Sequence, residues 1–185
     1  MQQVKQGFII PLLGMLLVSA FIALAFFTTY KKTHESVGVM IAEHVAQLSN
    51  IFAKIHKDCG ILSFNFQKNP INFLNVKSFS GSQVGSMNLR HPRKWKGSYT
   101  NKTTAVNQND FQIVRTYKGY FITPAEGIKL PNGLVVGQDI ILNDDVDIAT
   151  MVEPGGLLWY QGKALAVPLA TEVQDLCDIA TFQVE

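Results

Sequence analysis

The stretch FIIPLLGMLLVSAFIALAFF, residues 8–27, decides the architecture of this 185-residue chain. It contains no charged residue, and its only weakly polar members are Gly14 and Ser19. A helix of about twenty residues spans about 30 Å, which is the thickness of the hydrocarbon core of a bilayer. The aromatic and basic residues Tyr30, Lys31 and Lys32 that follow are typical of a membrane interface. The sequence therefore predicts a transmembrane helix here.

A cleavable secretory signal is the alternative interpretation of this segment. Such signals usually have a shorter apolar core that ends in small residues. Here Phe26 and Phe27 occupy the place where small residues would be expected. We therefore expect the apolar segment to remain in the protein.

A second apolar pattern follows the first and has a helical period. The apolar residues recur at steps of four and three, and polar residues fill the other side; this stripe comprises Val37, Ile41, Val45, Leu48, Phe52 and Ile55. We predict one helix from about Phe8 to about Lys57, apolar all round in its first half and amphipathic in its second. Pro11 is expected in its first turn, and Gly38 is its one weak point.

Strand patterns replace the helical pattern after Gly60. We predict alternating strands at residues 61–66 and 71–76, a loop at 78–88, and a strand at 134–142. Hairpins are expected at 110–123, around Lys118-Gly119, and at 157–168, around Gln161-Gly162. The expected fold class is α+β, a long N-terminal helix packed on a β-rich globular head. The chain is thereby divided into a short N-terminal segment at residues 1–7, the N-terminal helix at residues 8–57 and the β-rich globular head at residues 58–185.

Composition excludes one broad class of protein and gives no support to a second. With 47% hydrophobic and 16% charged residues, the chain is too apolar for an intrinsically disordered protein. Its net charge of +2 is too small to indicate nucleic-acid binding by itself. A basic segment near Trp95 is a weak candidate for nucleic-acid contact, although a solvated loop with a buried tryptophan is the commoner structure; this segment contains Arg90, Arg93, Lys94 and Lys96.

The search for catalytic and metal-binding motifs is mostly negative. The sequence has no nucleophile elbow, phosphate-binding loop, dinucleotide fingerprint or zinc-protease motif. His56 and Cys59 could supply half of a zinc site, but no second pair of ligands accompanies them. The acidic residues 143–147 could offer oxygen ligands to calcium, yet an acidic surface turn is the simpler interpretation. We therefore expect no cofactor, no metal and no catalytic residue.

The chain has two cysteines, Cys59 and Cys177. In the cytosol they would be two unrelated thiols, whereas in an exported domain an even count indicates a disulfide. The apolar segment at residues 8–27 favours the exported case and a Cys59–Cys177 bond. Closing a loop of roughly 120 residues would stabilise the fold by about 4–5 kcal/mol in the chain-entropy model.

The first third of the chain resembles a type IV pilin-like subunit. The resemblance comprises a short basic leader ending in Gly7, an apolar helix that begins at once with Phe8, and the amphipathic continuation to about Lys57. It implies that a prepilin peptidase cuts between Gly7 and Phe8 and that the new amino terminus at Phe8 is methylated. It also implies that the helix forms the core of a filament, that the β-rich domain is exposed, and that the cysteines are paired.

The sequence departs from that family at one informative position. Family members usually carry Glu five residues after the cleavage site, and this chain has Leu12 there. The departure favours a minor pilin, pseudopilin or tip subunit, such as the shufflon-type adhesin of conjugative pili, over a major pilin. The function would be adhesion, conjugation or secretion. The implied partners are other pilin subunits, the prepilin peptidase, an inner-membrane assembly platform and the lipid bilayer, and we do not expect nucleic acid.

Two other classes of function remain as alternatives. One is a bitopic signal-anchored envelope protein of a secretion or conjugation complex, in which Gly7 has no special role. The other is a membrane-anchored enzyme with a site that the sequence does not disclose. The pilin-like interpretation places the chain first in the bacterial inner membrane, as a single-pass protein with its head outside the cytoplasm. It then places the chain in a pilus or at the cell surface.

The predicted disulfide can be tested with a Cys59→Ser variant. We expect its melting temperature to fall below that of the wild type under oxidising conditions, because the unfolded chain is no longer constrained. Calorimetry in oxidising and in reducing buffer measures this effect. Equal wild-type melting temperatures in the two buffers would contradict the disulfide.

Overall fold

The computed structural model describes residues 6–100 and 110–172, and within these it describes only the backbone of residues 6–12 and 29–36. These residues form two α-helices, one short 3-10 helix and nine strands, joined by turns and loops. The helices are α1 (Gln6–Cys59), the 3-10 helix Pro92–Lys94 and α2 (Ile148–Met151). The strands are β1 (Ile61–Phe64), β2 (Lys68–Pro70), β3 (Gln83–Val84), β4 (Met87–Leu89), β5 (Phe111–Thr116), β6 (Gly119–Pro124), β7 (Trp159–Tyr160), β8 (Lys163–Ala164) and β9 (Val167–Leu169). The α+β class is therefore correct.

Helix α1 has 54 residues and includes both sequence patterns described above. Because Gln6 already lies in the helix, Pro11 lies beyond its first turn. The prediction that Pro11 lies in the first turn is therefore wrong. The helix ends at Cys59, where the Gly60 N–H donates to the His56 carbonyl at 2.8 Å. Gly60 has a φ of +66°, which a glycine adopts without strain, and the chain turns there into β1.

The membrane prediction is contradicted. Over the part of the chain that the structure describes, no helix combines enough length with enough apolar character to cross a bilayer. The predicted transmembrane helix and the predicted single-pass location in the inner membrane are both withdrawn.

The chain divides into two compact units, Met1–Val37 (unit 1) and Gly38–Glu185 (unit 2). In unit 1 the described side chains are those of residues 13–28, in the apolar part of α1, and that of Val37. Unit 2 contains the rest of α1 and all the described strands. The division therefore falls within the helix, after the apolar run at residues 8–27 has ended.

The core of unit 2 is built on one face of α1. The predicted stripe is confirmed there, because its residues from Ile41 onward are buried; they are Ile41, Val45, Leu48, Phe52 and Ile55. The Phe52 ring meets the edges of Phe64 and Phe73 at centroid distances of 6.5 and 6.3 Å. Such edge-to-face contacts add about 0.5–1.5 kcal/mol each to the burial of the rings. The helix is therefore a structural part of unit 2.

Three antiparallel sheets supply the rest of unit 2. Their strand orders are β1-β4-β3, β2-β5-β6-β9 and β7-β8. The hairpin predicted around Lys118-Gly119 is confirmed as β5 and β6, whose register pairs Phe111 with Pro124 and Thr116 with Gly119. The second predicted turn, at Gln161-Gly162, is confirmed as the link between β7 and β8.

Other strand predictions are wrong. Residues 71–76 form no strand, although Ile71, Phe73 and Leu74 are buried. Residues 134–142 make only isolated bridges, and the expected loop at 78–88 contains β3 and β4. The segment 71–76 is fixed by single hydrogen bonds, such as the Tyr99 N–H to the Leu74 carbonyl at 2.9 Å, and not by a strand ladder.

Gly38 has a packing role that the sequence does not reveal. A Cβ atom added there would lie 2.5 Å from Cδ1 of Tyr160 and 3.0 Å from Cγ of Pro131. The glycine therefore lets α1 approach these two side chains closely. A residue that weakens an isolated helix is in this case required by the packing of unit 2.

A Gly38→Ala variant tests this role. The added methyl should cost about 1–3 kcal/mol through steric strain, against a gain of about 1 kcal/mol in helix propensity, so unit 2 should lose about 1 kcal/mol. Urea unfolding measures the change, with Gly14→Ala as the control because its Cβ would meet nothing within 4 Å. Combining Gly38→Ala with Tyr160→Ala should remove the strain. A Gly38→Ala protein at least as stable as the wild type would contradict the packing role.

Candidate assembly surface and associated clusters

The most distinctive surface of the described chain is the apolar part of α1 in unit 1. Every described side chain from Leu13 to Thr28 is exposed. Met15, Phe26 and Phe21 are 78%, 74% and 69% exposed. The large apolar residues of this assembly surface are Leu13, Met15, Leu16, Leu17, Val18, Phe21, Ile22, Leu24, Phe26 and Phe27. An exposed apolar patch of this extent marks an interaction site.

The few polar groups on this surface are satisfied within the helix itself. The Ser19 hydroxyl donates to the Leu16 carbonyl at 2.9 Å, and the Thr28 hydroxyl donates to the Leu24 and Ala25 carbonyls at 3.0 Å. Hydroxyls that bond back to their own helix demand no partner on the surface that covers them. The assembly surface can therefore be buried without leaving a polar group unpaired.

The predicted cleavage site, Gly7–Phe8, lies inside α1. Its backbone is helical, and its side chains belong to the stretch of α1 for which only the backbone is described. In a regular α-helix each N–H donates a hydrogen bond to the carbonyl four residues earlier. The Gly7 carbonyl would therefore accept a hydrogen bond from the N–H of residue 11.

The structure connects the basic segment to the fold through Trp95. The Trp95 Nε1–H donates to the Val76 carbonyl at 3.0 Å. Its ring meets the rings of Phe79 and Tyr99 at centroid distances of 5.4 and 4.8 Å. Because its polar edge and both neighbours are engaged, Trp95 serves as an anchor of the loop. This arrangement gives no support to base stacking by Trp95.

The cations of the basic segment divide into paired and unpaired groups. The Arg90 guanidinium lies 2.7 Å from the Glu172 carboxylate, and the Lys96 ammonium lies 3.2 Å from that of Asp58. Arg93 and Lys94 are exposed, in the 3-10 helix, and make no ion pair with any described residue. The two ion pairs fasten the segment beside the end of α1.

The acidic turn at residues 143–147 is also used to hold the fold together. The Asp144 carboxylate lies 3.3 Å from Arg115 Nε, and that of Asp147 lies 2.5 Å from Lys118 Nζ. Asp147 also caps α2 by accepting from the Thr150 N–H at 3.3 Å. The hydrogen bond from Lys118 holds the pKa of Asp147 below its ordinary value. Among the described residues, no three His, Cys, Asp or Glu side chains are grouped to hold a metal ion.

Cys59 is fully buried at the end of α1 and forms no disulfide with any described residue. Burial, and then the charge of Asp58, raise the pKa of Cys59 above its ordinary value of 9.0, while the Tyr99 hydroxyl acts in the opposite direction through a hydrogen bond. Nearby His56 accepts from the Ile61 N–H at its Nδ1, at 3.2 Å, so one ring nitrogen is engaged in the helix end. Cys177 lies outside the described residues, and its pairing with Cys59 stays a prediction.

Comparison with known proteins identifies no relative: no protein-family model, curated protein or solved structure matches this chain.

The thiol and phenol at the end of α1 predict a loss of stability at alkaline pH in reduced protein. Burial raises the pKa of both Cys59 and Tyr99, so the folded state holds their protons more tightly than the unfolded state. The two groups therefore make their full contribution to the free energy of unfolding below pH 9.0, the ordinary pKa of the thiol. This contribution is lost as the pH rises through their raised pKa values in the folded state. Urea unfolding in reducing buffer at about pH 8 and about pH 10.5 measures the loss. Tyr99→Phe and Cys59→Ala should each make it smaller, and an unchanged loss in both variants would contradict the assignment.

Proposed function

We propose that this chain is a structural subunit of a filament of the type IV pilin-like class. The observation that carries the proposal is the assembly surface, an apolar helix exposed on every side in unit 1 and continuous with a helix that forms the core of unit 2. The segments of neighbouring copies would cover one another. The filament would then have a core of α1 helices, with unit 2 as the exposed part.

Energetics support burial of this surface. Each large apolar side chain gains about 1.5–3 kcal/mol when it is fully removed from water, and ten such side chains are exposed here. Part of that gain is offset by the loss of translational and rotational freedom on association. The remainder is still large enough to favour association strongly. A partner is therefore expected along the whole length of the assembly surface.

A second copy of the same helix is the occupant that this surface fits best. It carries no charge, so it demands no complementary charge from its partner. Small residues interrupt the large ones: Gly14 has open space around it, and Ala20, Ala23 and Ala25 are exposed. Small residues let two helix backbones approach closely. Assembly of identical chains covers the surface of every copy with one kind of contact.

The clusters of unit 2 favour a structural role over a catalytic one. Ten of its described acidic and basic groups form five ion pairs within the fold, among them the Arg115–Asp144 and Lys118–Asp147 pairs. The buried Cys59 has a pKa that favours the unreactive thiol. We therefore propose no enzymatic activity for the chain itself.

The finer assignment is to a minor or tip subunit or a pseudopilin that acts in adhesion, conjugation or secretion and whose α1 packs against copies of itself as well as against other subunits of the class. It is supported by Leu12, which stands where a major pilin carries Glu. The proposed partners are other subunits of the same class and a prepilin peptidase that removes residues 1–7.

Assembly can be tested with aspartates placed on the assembly surface. Leu17 and Phe21 lie one helical turn apart and are both exposed, so a Leu17→Asp/Phe21→Asp variant would have to bury two charges in the proposed core. Sedimentation velocity and electron microscopy of the peptidase-treated chain in detergent-free buffer should show filaments of uniform width for the wild type and single copies for the variant.

A matched control carries the same two charges on exposed apolar residues of unit 2. Phe66 and Ile141 are 61% and 62% exposed, and a Phe66→Asp/Ile141→Asp variant should still assemble. A wild type that remains a single copy would contradict the proposal. Irregular aggregates that the Leu17→Asp/Phe21→Asp variant also forms would contradict it as well.

A further inference from the structure

We infer that Pro11 is a positioning residue for leader removal, because it keeps the Gly7 carbonyl out of the hydrogen-bond ladder of α1. The inference rests on the proposed function, since it concerns cleavage between Gly7 and Phe8. It concerns the backbone alone. It adds to that function a reason why one peptide bond inside a continuous helix would be open to attack.

The backbone places the predicted scissile bond in an unfavourable setting for a protease. Helix α1 includes Gly7, Phe8 and Pro11. In an α-helix each carbonyl accepts from the N–H four residues later, which for Gly7 is residue 11. Proline has no N–H, so this helix bond cannot form. By contrast, Gln6 and Phe8 have Ile10 and Leu12 four residues later, and both of these carry an N–H.

The chemistry of peptide hydrolysis makes the free carbonyl useful. A water molecule adds to the Gly7 carbonyl carbon, and the carbonyl oxygen gains negative charge, which donors of the peptidase must stabilise. The C–N bond between Gly7 and Phe8 then breaks. The Gly7 side becomes a carboxylate, and the Phe8 nitrogen takes a proton and leaves as an amine. A carbonyl that was already bonded within the helix would first have to lose that hydrogen bond.

A net backbone hydrogen bond contributes about 0.5–1.5 kcal/mol, and each factor of ten in rate corresponds to about 1.4 kcal/mol. Restoring a donor at position 11 should therefore slow cleavage about twofold to tenfold. The effect should lie in the rate of the chemical step. The affinity of the peptidase for the chain should change less, because the side chains that flank the bond are the same.

The experiment measures the rate of leader removal from the full-length chain by a purified prepilin peptidase, with intact mass as the readout. Pro11→Ala adds an N–H and should slow cleavage, mainly in kcat. Replacing Pro11 by L-lactic acid, introduced by nonsense suppression, gives the side chain of alanine with an ester oxygen in place of the N–H. This substitution should restore the wild-type rate. Leu12→Ala, which leaves the backbone donors unchanged, is the control, and Gly7→Arg marks the mass of the uncleaved chain.

The outcomes separate the inference from the proposed function. Absence of cleavage in the wild type overturns both. Cleavage of the wild type and the Pro11→Ala variant at equal rates overturns the inference alone. Slow cleavage of both the alanine and the lactic acid variants also overturns it, because the cause would then be the proline ring and not the missing donor. Slow cleavage with alanine and wild-type cleavage with lactic acid supports it.

Discussion

Phe52 of α1 lies completely buried between the rings of Phe64 and Phe73, and the packing of unit 2 depends on this contact. Phe64 belongs to β1, and Phe73 belongs to the buried segment that follows β2. The contact therefore joins the helix, a sheet and an irregular segment at one point. Burying a phenylalanine side chain contributes about 1.5–3 kcal/mol, and truncating one in a core to alanine costs about 3–5 kcal/mol.

This constraint gives the two parts of α1 different roles. The part in unit 2 has one apolar face, and the core of its own chain covers that face. Residues 13–28, in the part that belongs to unit 1, carry no charge, and all of their side chains are exposed. In such a fold the core of the chain covers one part of a helix and leaves the other part exposed. This arrangement is suited to assembly, because the exposed part can pack against other copies. Gly38 lies at the start of the part that unit 2 covers, where Tyr160 and Pro131 require a residue without a side chain.

Local patterns in the sequence predict the elements whose stability is local. The steps of three and four from Ile41 to Ile55 identify the buried face of α1, and Lys118-Gly119 identifies the turn of the longest hairpin. Strands β3 and β4 could not be found in this way, because they have two and three residues and exist through pairing with each other and with β1. Residues 71–76 were predicted as a strand from their apolar residues, and Ile71, Phe73 and Leu74 are buried, yet among the described residues no strand pairs with them. The packing role of Gly38 could not be predicted either, because it depends on Pro131 and Tyr160, which lie more than ninety positions away along the chain.

The transmembrane prediction from hydropathy is wrong for a different reason. Hydropathy located the exposed apolar part of α1. However, an apolar helix has the same composition whether lipid or protein covers it. The membrane prediction, which the structure contradicts, came from that ambiguity. The candidate site shows the same limit, since the basic segment was visible in the sequence while the anchoring of Trp95 to Val76 and the ion pairs of Arg90 and Lys96 were not.

The proposed function requires that residues 1–7 are removed before the helix of the chain assembles. This processing is measured by intact mass and amino-terminal sequencing of the chain, produced with and without a prepilin peptidase. We expect a peptidase-dependent product that begins at Phe8 and is heavier by one methyl group. Retention of Met1 to Gly7 in both preparations would contradict it, and the exposed helix would then require a different explanation.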